Sequence, residues 1–328
     1  MVTIKDIAKV AGVSHTTVSR ALNDSPLIKT ATKDKIKTIA AEMNYVPNFS
    51  ARSLVQQKSY RIGLFFSSIQ EGTSASFLVD AIRGINGTLS SRYSLAVNGI
   101  DTLANYDNIN PQVYDGIIIM SQSDDDDYFI QVVREAGIPF VVLNRQLDDE
   151  NILNVTSNDS LGVAEGIRYG ISLGHRKIAL IGGKAGFRSS IERRLGFIEG
   201  VTTSGLPLPT DYLVEGDYSI ESGRECCEKL LALTNPPTLI FCANDDMAIG
   251  ALKACAAAQL KVPQDVAIMG FDNILFSQYT SPALTTVSKP IYEISQTGTA
   301  MLLDAIAGED IQPKQKLLQT TLVKRESV

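Results

Sequence analysis

Histidine is almost missing from this chain: His15 and His175 are the only two in 328 residues. Histidine-based catalysis and histidine-built metal sites therefore have few candidates. Cysteine is also sparse, with Cys226, Cys227, Cys242 and Cys255. None has zinc-ligand spacing, and two adjacent helical cysteines point apart. Reduced core thiols are the expectation. Long apolar runs are absent too, so no window is suited to span a bilayer. The opening MVTIKDIAKV has neither the apolar core nor the cleavage site of a signal peptide. A cytoplasmic protein with no membrane contact, no cofactor, no metal and no catalytic residue is expected.

What is present is an ordinary globular composition, 44% hydrophobic and 20% charged. Its charge is unevenly placed. The formal net charge is −6, yet residues 1–60 hold nine Lys/Arg against four acids, a local +5. A basic tip on an acidic body suggests one end made for a polyanion.

The first sixty residues read as short helices. IKDIAKVAGV places Ile4, Ile7, Ala8 and Ala11 on one face. Thr3 caps it, Asp6 completes a capping box, and Gly12 ends it. Ser14 caps a second helix through about Leu22, with Val18 and Leu22 inward. A third is predicted from about Thr30 to Met43, with Ile36, Ile39 and Ala40 inward. Pro47 then breaks the chain. A helix over Asn48 to Val55 would be too short to stand alone in water.

From Arg61 the pattern alternates. RIGLFF, GIIIM, FVVLN, KIALIGG, PTLIFCA and VAIMGF read as strands, with amphipathic stretches between them. Such alternation predicts parallel strands covered by helices, and so many strands predict two lobes. Ligands of such folds lie beyond the carboxyl ends of the strands, here the cleft.

Several apparent motifs fail on context. GISLG followed by His175 matches a serine-hydrolase elbow, but a helix precedes it and a strand follows, the reverse of the required order. GGKAG lacks phosphate-loop spacing and reads as a tight βα turn. Asp124 to Asp127 lack calcium-loop spacing and read as a solvated helix start.

AGVSHTTVSRAL, by contrast, has helix-turn-helix geometry, with a second helix that presents its first turns to the DNA major groove. Ser14, Thr17 and Ser19, with Asn23 after them, are short polar groups suited to phosphates. His15, Thr16 and Arg20 project toward bases, and Arg20 suits a bidentate contact to guanine.

VTIKDIAKVAGVSHTTVSRALND followed by NYVPNFSARSL resembles the headpiece and hinge of the lactose-repressor/galactose-repressor family. The resemblance continues through Asn144-Arg145, SLGHRKIALIGG, RRLGF, ANDDMAIGAL, VAIMGFDN, SPALTTV and LVKRES, so it covers essentially the whole chain. It implies an α/β protein: an all-α helix-turn-helix headpiece over 1–46, a hinge helix and linker over 47–60, and a two-lobed, periplasmic-binding-protein-like (type I), doubly wound core over 61–328. Lobe 1 would take about 61–158 plus 290–318, and lobe 2 about 159–289 plus 319–328. It further implies a repressor that binds a near-palindromic double-stranded operator as a homodimer, without a tetramerising helix. Leu54 would wedge into a central minor-groove step, and a small-molecule effector, a sugar or sugar derivative, would occupy the cleft. Matched position by position, the effector residues would be Phe77, Asn144, Arg145, Arg193, Tyr218, Asn244 and Asp272. Where the family has Asp-Asn before a helix, this chain has Asn158-Asp159. Two other readings remain: an exported solute-binding protein, and a sugar hydrolase with two converging carboxylates.

Overall fold

The computed structural model describes residues 2–22, 24–45, 58–70 and 72–328. Asn23, Leu54 and the predicted hinge helix lie outside the described residues. The chain divides into two compact units, Met1–Gln57 and Lys58–Val328.

The first unit contains three helices: α1 (Ile4–Ala11), α2 (His15–Leu22) and α3 (Thr30–Glu42). The Asp6 carboxylate accepts from the Thr3 N–H at 2.9 Å and the Thr3 hydroxyl at 2.7 Å, which fixes the start of α1. Gly12 ends it at φ 71°, the left-handed conformation that glycine adopts without a Cβ clash. Ser14 Oγ accepts from the Thr17 N–H at 3.1 Å and so starts α2. Ile7, Ala8, Ala11, Val18, Ala21, Ile36 and Ala40 form the buried centre, while Leu22 is only half-buried against it.

The second unit holds two six-stranded sheets. The first is ordered β2-β1-β3-β4-β5-β11 and is parallel throughout. Its strands are β1 (Arg61–Phe66), β2 (Ser94–Gly99), β3 (Gly116–Met120), β4 (Phe140–Leu143), β5 (Leu153–Ser157) and β11 (Gln315–Leu318). The second is ordered β7-β6-β8-β9-β10-β12, with only β12 antiparallel. It comprises β6 (Ile178–Gly182), β7 (Leu213–Glu215), β8 (Leu239–Cys242), β9 (Ala267–Asp272), β10 (Thr285–Ser288) and β12 (Thr321–Val323). Strands β3 and β6 are buried along their whole length, as expected of parallel strands covered on both faces.

Helices α4 (Ala75–Thr88), α5 (Asp127–Glu135) and α10 (Ile291–Ala307) cover the first sheet. Helices α6 (Asp159–Ser172), α7 (Arg188–Thr202), α8 (Ile220–Leu231) and α9 (Asp245–Ala257) cover the second. The chain crosses between lobes three times: at Asn158, at Lys289-Pro290 and at Gln319-Thr320.

Two sequence readings gain detail here. GISLG is the end of α6, with Gly174 at φ 101° and the Arg176 guanidinium on the Ile171 carbonyl at 2.9 Å. The Asp124 to Asp127 run is not uniformly solvated. Asp126 is buried and accepts from Ser67 Oγ at 2.5 Å and Ser121 Oγ at 2.7 Å. The four cysteines are buried and free.

Helix α7 carries Arg193 and lies directly on α6. A Cβ at Gly196 would strike the Ser160 carbonyl, which is backbone and cannot rotate away. Gly196→Ala should therefore destabilise the body by about 1–3 kcal/mol through overpacking. Thermal unfolding checks this, and an unchanged midpoint would contradict the close α6–α7 approach.

Candidate functional site

The strand order in each lobe reverses next to its first strand, and polar residues gather just beyond the carboxyl ends of the strands. There, Gly72, Ser74, Phe77, Gln122 and Asn144 from the first lobe face Ser189, Arg193, Tyr218, Asn244 and Asp272 from the second. They line a cavity of about 30 Å³. Six of the seven residues matched to the effector pocket thus come together. Gln122, Ser74 and Ser189 join them from loops and helix starts that carry no motif.

Three wall residues have unusual backbones. Asn144 and Tyr218 have φ 74°, and Asp272 has φ 105°. For a bulky tyrosine this is an outlier, and each such residue costs about 1–3 kcal/mol, which the surrounding contacts must offset. Those contacts are visible. Asn144 Nδ2 donates to the Ser121 carbonyl at 3.1 Å. Asn244 Nδ2 donates to the Tyr218 carbonyl at 3.0 Å, while Asn244 Oδ1 caps α9 through the Met247 N–H at 2.9 Å. The Tyr218 hydroxyl pairs with Ser189 Oγ at 2.9 Å. Gly183 leaves the space that the Tyr218 ring fills, since a Cβ there would collide with it. The glycine of the GGKAG turn is thus tied to the cavity wall.

Arg193 organises the second-lobe wall. Its Nε donates to Asp159 at 3.1 Å, Nη2 to Asp272 at 3.3 Å, and Nη1 to the Ala243 carbonyl. The guanidinium lies 3.8 Å from the Phe271 ring centroid. Burial works against its charge, but the Asp272 and Asp159 carboxylates more than offset this and hold it cationic. Behind it, Lys289 Nζ reaches the same Asp159 oxygen at 3.0 Å. Burial alone would raise Asp159, yet Lys289 and Arg193 keep it below the usual carboxylate value. Asp272 differs: burial pushes it up to about 6, with Arg193 and Lys289 opposing incompletely. Among the described residues it is the only acid lining the cavity, while Asp159 contacts Arg193.

Arg145 does not join this wall. Its buried guanidinium binds Asp124 at 2.6 Å, Ser121 Oγ at 2.9 Å and Asp127. It lines a separate hollow of about 380 Å³ with Asp148 and Arg188.

On the headpiece, His15, Thr16 and Arg20 are exposed on α2 while Val18 and Ala21 are buried beneath them. Ser14 is exposed, and Thr17 and Ser19 are half-buried. Ser14 Oγ lies 2.9 Å from Thr17 Oγ1 as well as capping the helix, so both hydroxyls already have local partners. Among the described residues no helix is long and apolar enough to cross a membrane, and no cluster could hold a metal ion.

A helix-turn-helix unit joined to a two-lobed body with a polar cleft defines a class: a ligand-sensing, DNA-binding regulator. Comparison with known proteins agrees. Residues 3–48 match the family model for bacterial regulatory proteins of the lacI family, and residues 167–328 match a periplasmic binding protein-like domain. The probable HTH-type transcriptional repressor ExuR of Bacillus subtilis (strain 168) is 52% identical over 328 residues, spanning 100% of this chain and 98% of that protein. The lac repressor dimer bound to operator and the anti-inducer ONPF superposes with TM-score 0.84 at 28% identity, covering 99% and 98% of the two chains. A transcriptional regulator CelR–cellobiose complex gives TM-score 0.75 at 27% identity, covering 100% of both. The chain belongs to the lacI family of bacterial transcriptional regulators. Such proteins are DNA-binding regulators and not enzymes.

The raised Asp272 makes a pH prediction. Its ordinary value is 3.8 and its folded value about 6, so the folded state holds its proton more tightly. Its contribution to stability is fully present below 3.8 and is lost as pH rises through about 6. Asp272→Asn should therefore gain stability relative to the parent across that window, and the difference should level off above it. Urea unfolding of both proteins at stepped pH measures it; a pH-independent difference would contradict the assignment.

Proposed function

We propose that this protein is a homodimeric repressor whose grip on a near-palindromic operator is set by a sugar or sugar derivative in the interlobe cavity. The convergence of Phe77, Asn144, Arg193, Tyr218, Asn244 and Asp272 on one cavity, in a chain that also carries a helix-turn-helix, is the observation that carries the reading. Carboxylate, amide and guanidinium groups can exchange hydrogen bonds with hydroxyls, and Tyr218 and Phe77 offer flat apolar surface to a sugar ring.

Cavity size supplies the link between the two ends. About 30 Å³ suits a water molecule, whereas ligand sites usually measure about 300–1,000 Å³. A sugar enters only when the lobes or the wall side chains move. An adjoining hollow of about 530 Å³ shares Phe77 and Asp272 with the cavity. Ligand binding therefore selects lobe geometry. Coupling of that kind is typically about 1–3 kcal/mol, enough to change operator affinity several- to a hundred-fold.

At the other end, His15, Thr16 and Arg20 read base edges, and Ser14, Thr17, Ser19 and Asn23 hold phosphates. Leu54 of the hinge enters the minor groove. Leu275, Phe276 and Tyr279, largely exposed together after β9, offer an apolar surface to a second copy. Lobe movement then changes how two headpieces are presented to one duplex.

Selection from a random duplex pool tests the DNA half. The parent should enrich a near-palindrome, and Arg20→Ala should lose about 1–3 kcal/mol of discrimination at one position in each half-site while keeping nonspecific binding. No enrichment by the parent would end the operator assignment. A thermal-shift panel of neutral, acidic and phosphorylated monosaccharides and disaccharides tests the sensing half. At least one compound should raise the parent's melting temperature and alter operator binding, and Tyr218→Ala should lose both effects while binding DNA normally. A panel without a hit, or an unchanged Tyr218→Ala response, would remove the pocket assignment.

A further inference from the structure

The three crossings between the lobes are fastened to one another. At the first, the Asn158 N–H donates to the Leu318 carbonyl at 3.1 Å, and the Asn158 carbonyl accepts from Thr320 Oγ1 of the third crossing at 3.1 Å. At the second, Lys289 Nζ reaches back to Asp159, the residue after Asn158, at 3.0 Å. The Lys289 and Asp159 side chains are 1% and 4% exposed, so the pair is shielded from screening by salt. The Asp159 Oδ2 atom that holds Lys289 also accepts from Arg193 Nε at 3.1 Å. Arg193 in turn meets Asp272, in the cavity wall, at 3.3 Å. Alternating charges thus run from the cavity to the seam through four side chains: Asp272, Arg193, Asp159 and Lys289.

We infer that Lys289 is a positioning residue that ties the second crossing to the first and makes that tie depend on Arg193. The inference rests on the proposal that the cavity takes an effector, and it adds the route by which occupancy reaches the seam. The reason is competition at one oxygen. Two cations share Oδ2 in a low-dielectric interior, so a shift of Arg193 toward a ligand changes the charge that Lys289 faces. Because all three crossings are joined, tightening or loosening one pair alters the resistance of the whole seam to lobe rotation. A neutral residue at 289 would leave the buried Asp159 carboxylate without its second cation, would loosen the tie between the crossings, and would be blind to Arg193.

Native-state hydrogen exchange on the full chain, without sugar or DNA, tests this. Lys289→Met should lower protection at the Asn158 amide by about tenfold or more, while amides of β8 hold their protection. Lys289→Arg should stay within about threefold of the parent, because its guanidinium keeps the charge. Asp272→Asn should shift Asn158 protection several-fold in the parent and leave it unmoved in a Lys289→Met background. If Lys289→Met alone does not fold, Asp159→Asn/Lys289→Met removes both charges and serves as that background, with the same absence of an Asp272→Asn effect expected. Equal losses at β8 and Asn158, an unaffected Asn158, or an Asp272→Asn effect of the same size in both backgrounds would overturn the inference. None of these measurements uses a sugar or an operator, so the inference and the proposed function fail separately.

Discussion

One buried carboxylate, Asp159, sits between two cations where the lobes meet, and much of the body depends on it. Taking a carboxylate and two cations out of water costs several kcal/mol per ion unless each is paired and hydrogen-bonded. Here the conditions are met: Ser157 Oγ donates to Oδ1 at 2.6 Å while Arg193 and Lys289 share Oδ2. The arrangement leaves little freedom, because displacing any member strands a charge in apolar surroundings. Arg193 is thereby fixed in direction, and through it the position of Asp272. The left-handed backbones of Asn144, Tyr218 and Asp272 fit the same picture. Conformations unfavourable in isolation persist where neighbours over-determine them, and such places are characteristically binding sites.

The two units divide the physical tasks. The headpiece encloses a small core of Ile7, Val18, Ala21 and Ile36 and leaves His15, Thr16 and Arg20 in water. Its positive charge attracts a duplex from a distance, while the acidic remainder of the chain discourages nonspecific adhesion to the same polyanion. The body has the opposite character: extensive apolar cores in each lobe and a buried, charged seam between them. Apolar packing dominates the lobes, and buried charge pairs take its place at the seam.

Local chemistry was readable without coordinates. The Thr3–Asp6 capping box, the Gly12 stop and the Ser14 cap are decided by residues three or four positions apart, so the sequence pattern and the geometry coincide. The alternation of apolar strands with helices is equally local, and it led to a two-lobed α/β body. Family resemblance brought most of the cavity wall into view. What stayed hidden depends on distant partners. Asp159 and Lys289 are separated by 130 residues, and Arg193 and Asp272 by 79. Asn158-Asp159 stood out as a reversal of the family's usual order, but nothing along the chain pointed to a lysine as its counterpart. Arg145 and the Asp124 to Asp127 run illustrate the same limit. Read separately, they were a pocket residue and a solvated helix start; together they form a paired cluster with a buried Asp126.

The sequence by itself determined the three headpiece helices and the six strongly apolar strands, which end is cationic, and which family the chain resembles; the six shorter or more polar strands emerged only in the fold. The first two follow from short-range sterics, periodicity and composition, and the third from matched motifs along the chain. Only the tertiary structure decided which charges meet, which carboxylates burial pushes up, Asp272 among them, and how small the cavity is. Those outcomes depend on desolvation and on distances between groups far apart in the chain. Both are set when three crossings bring two sheets to a common seam.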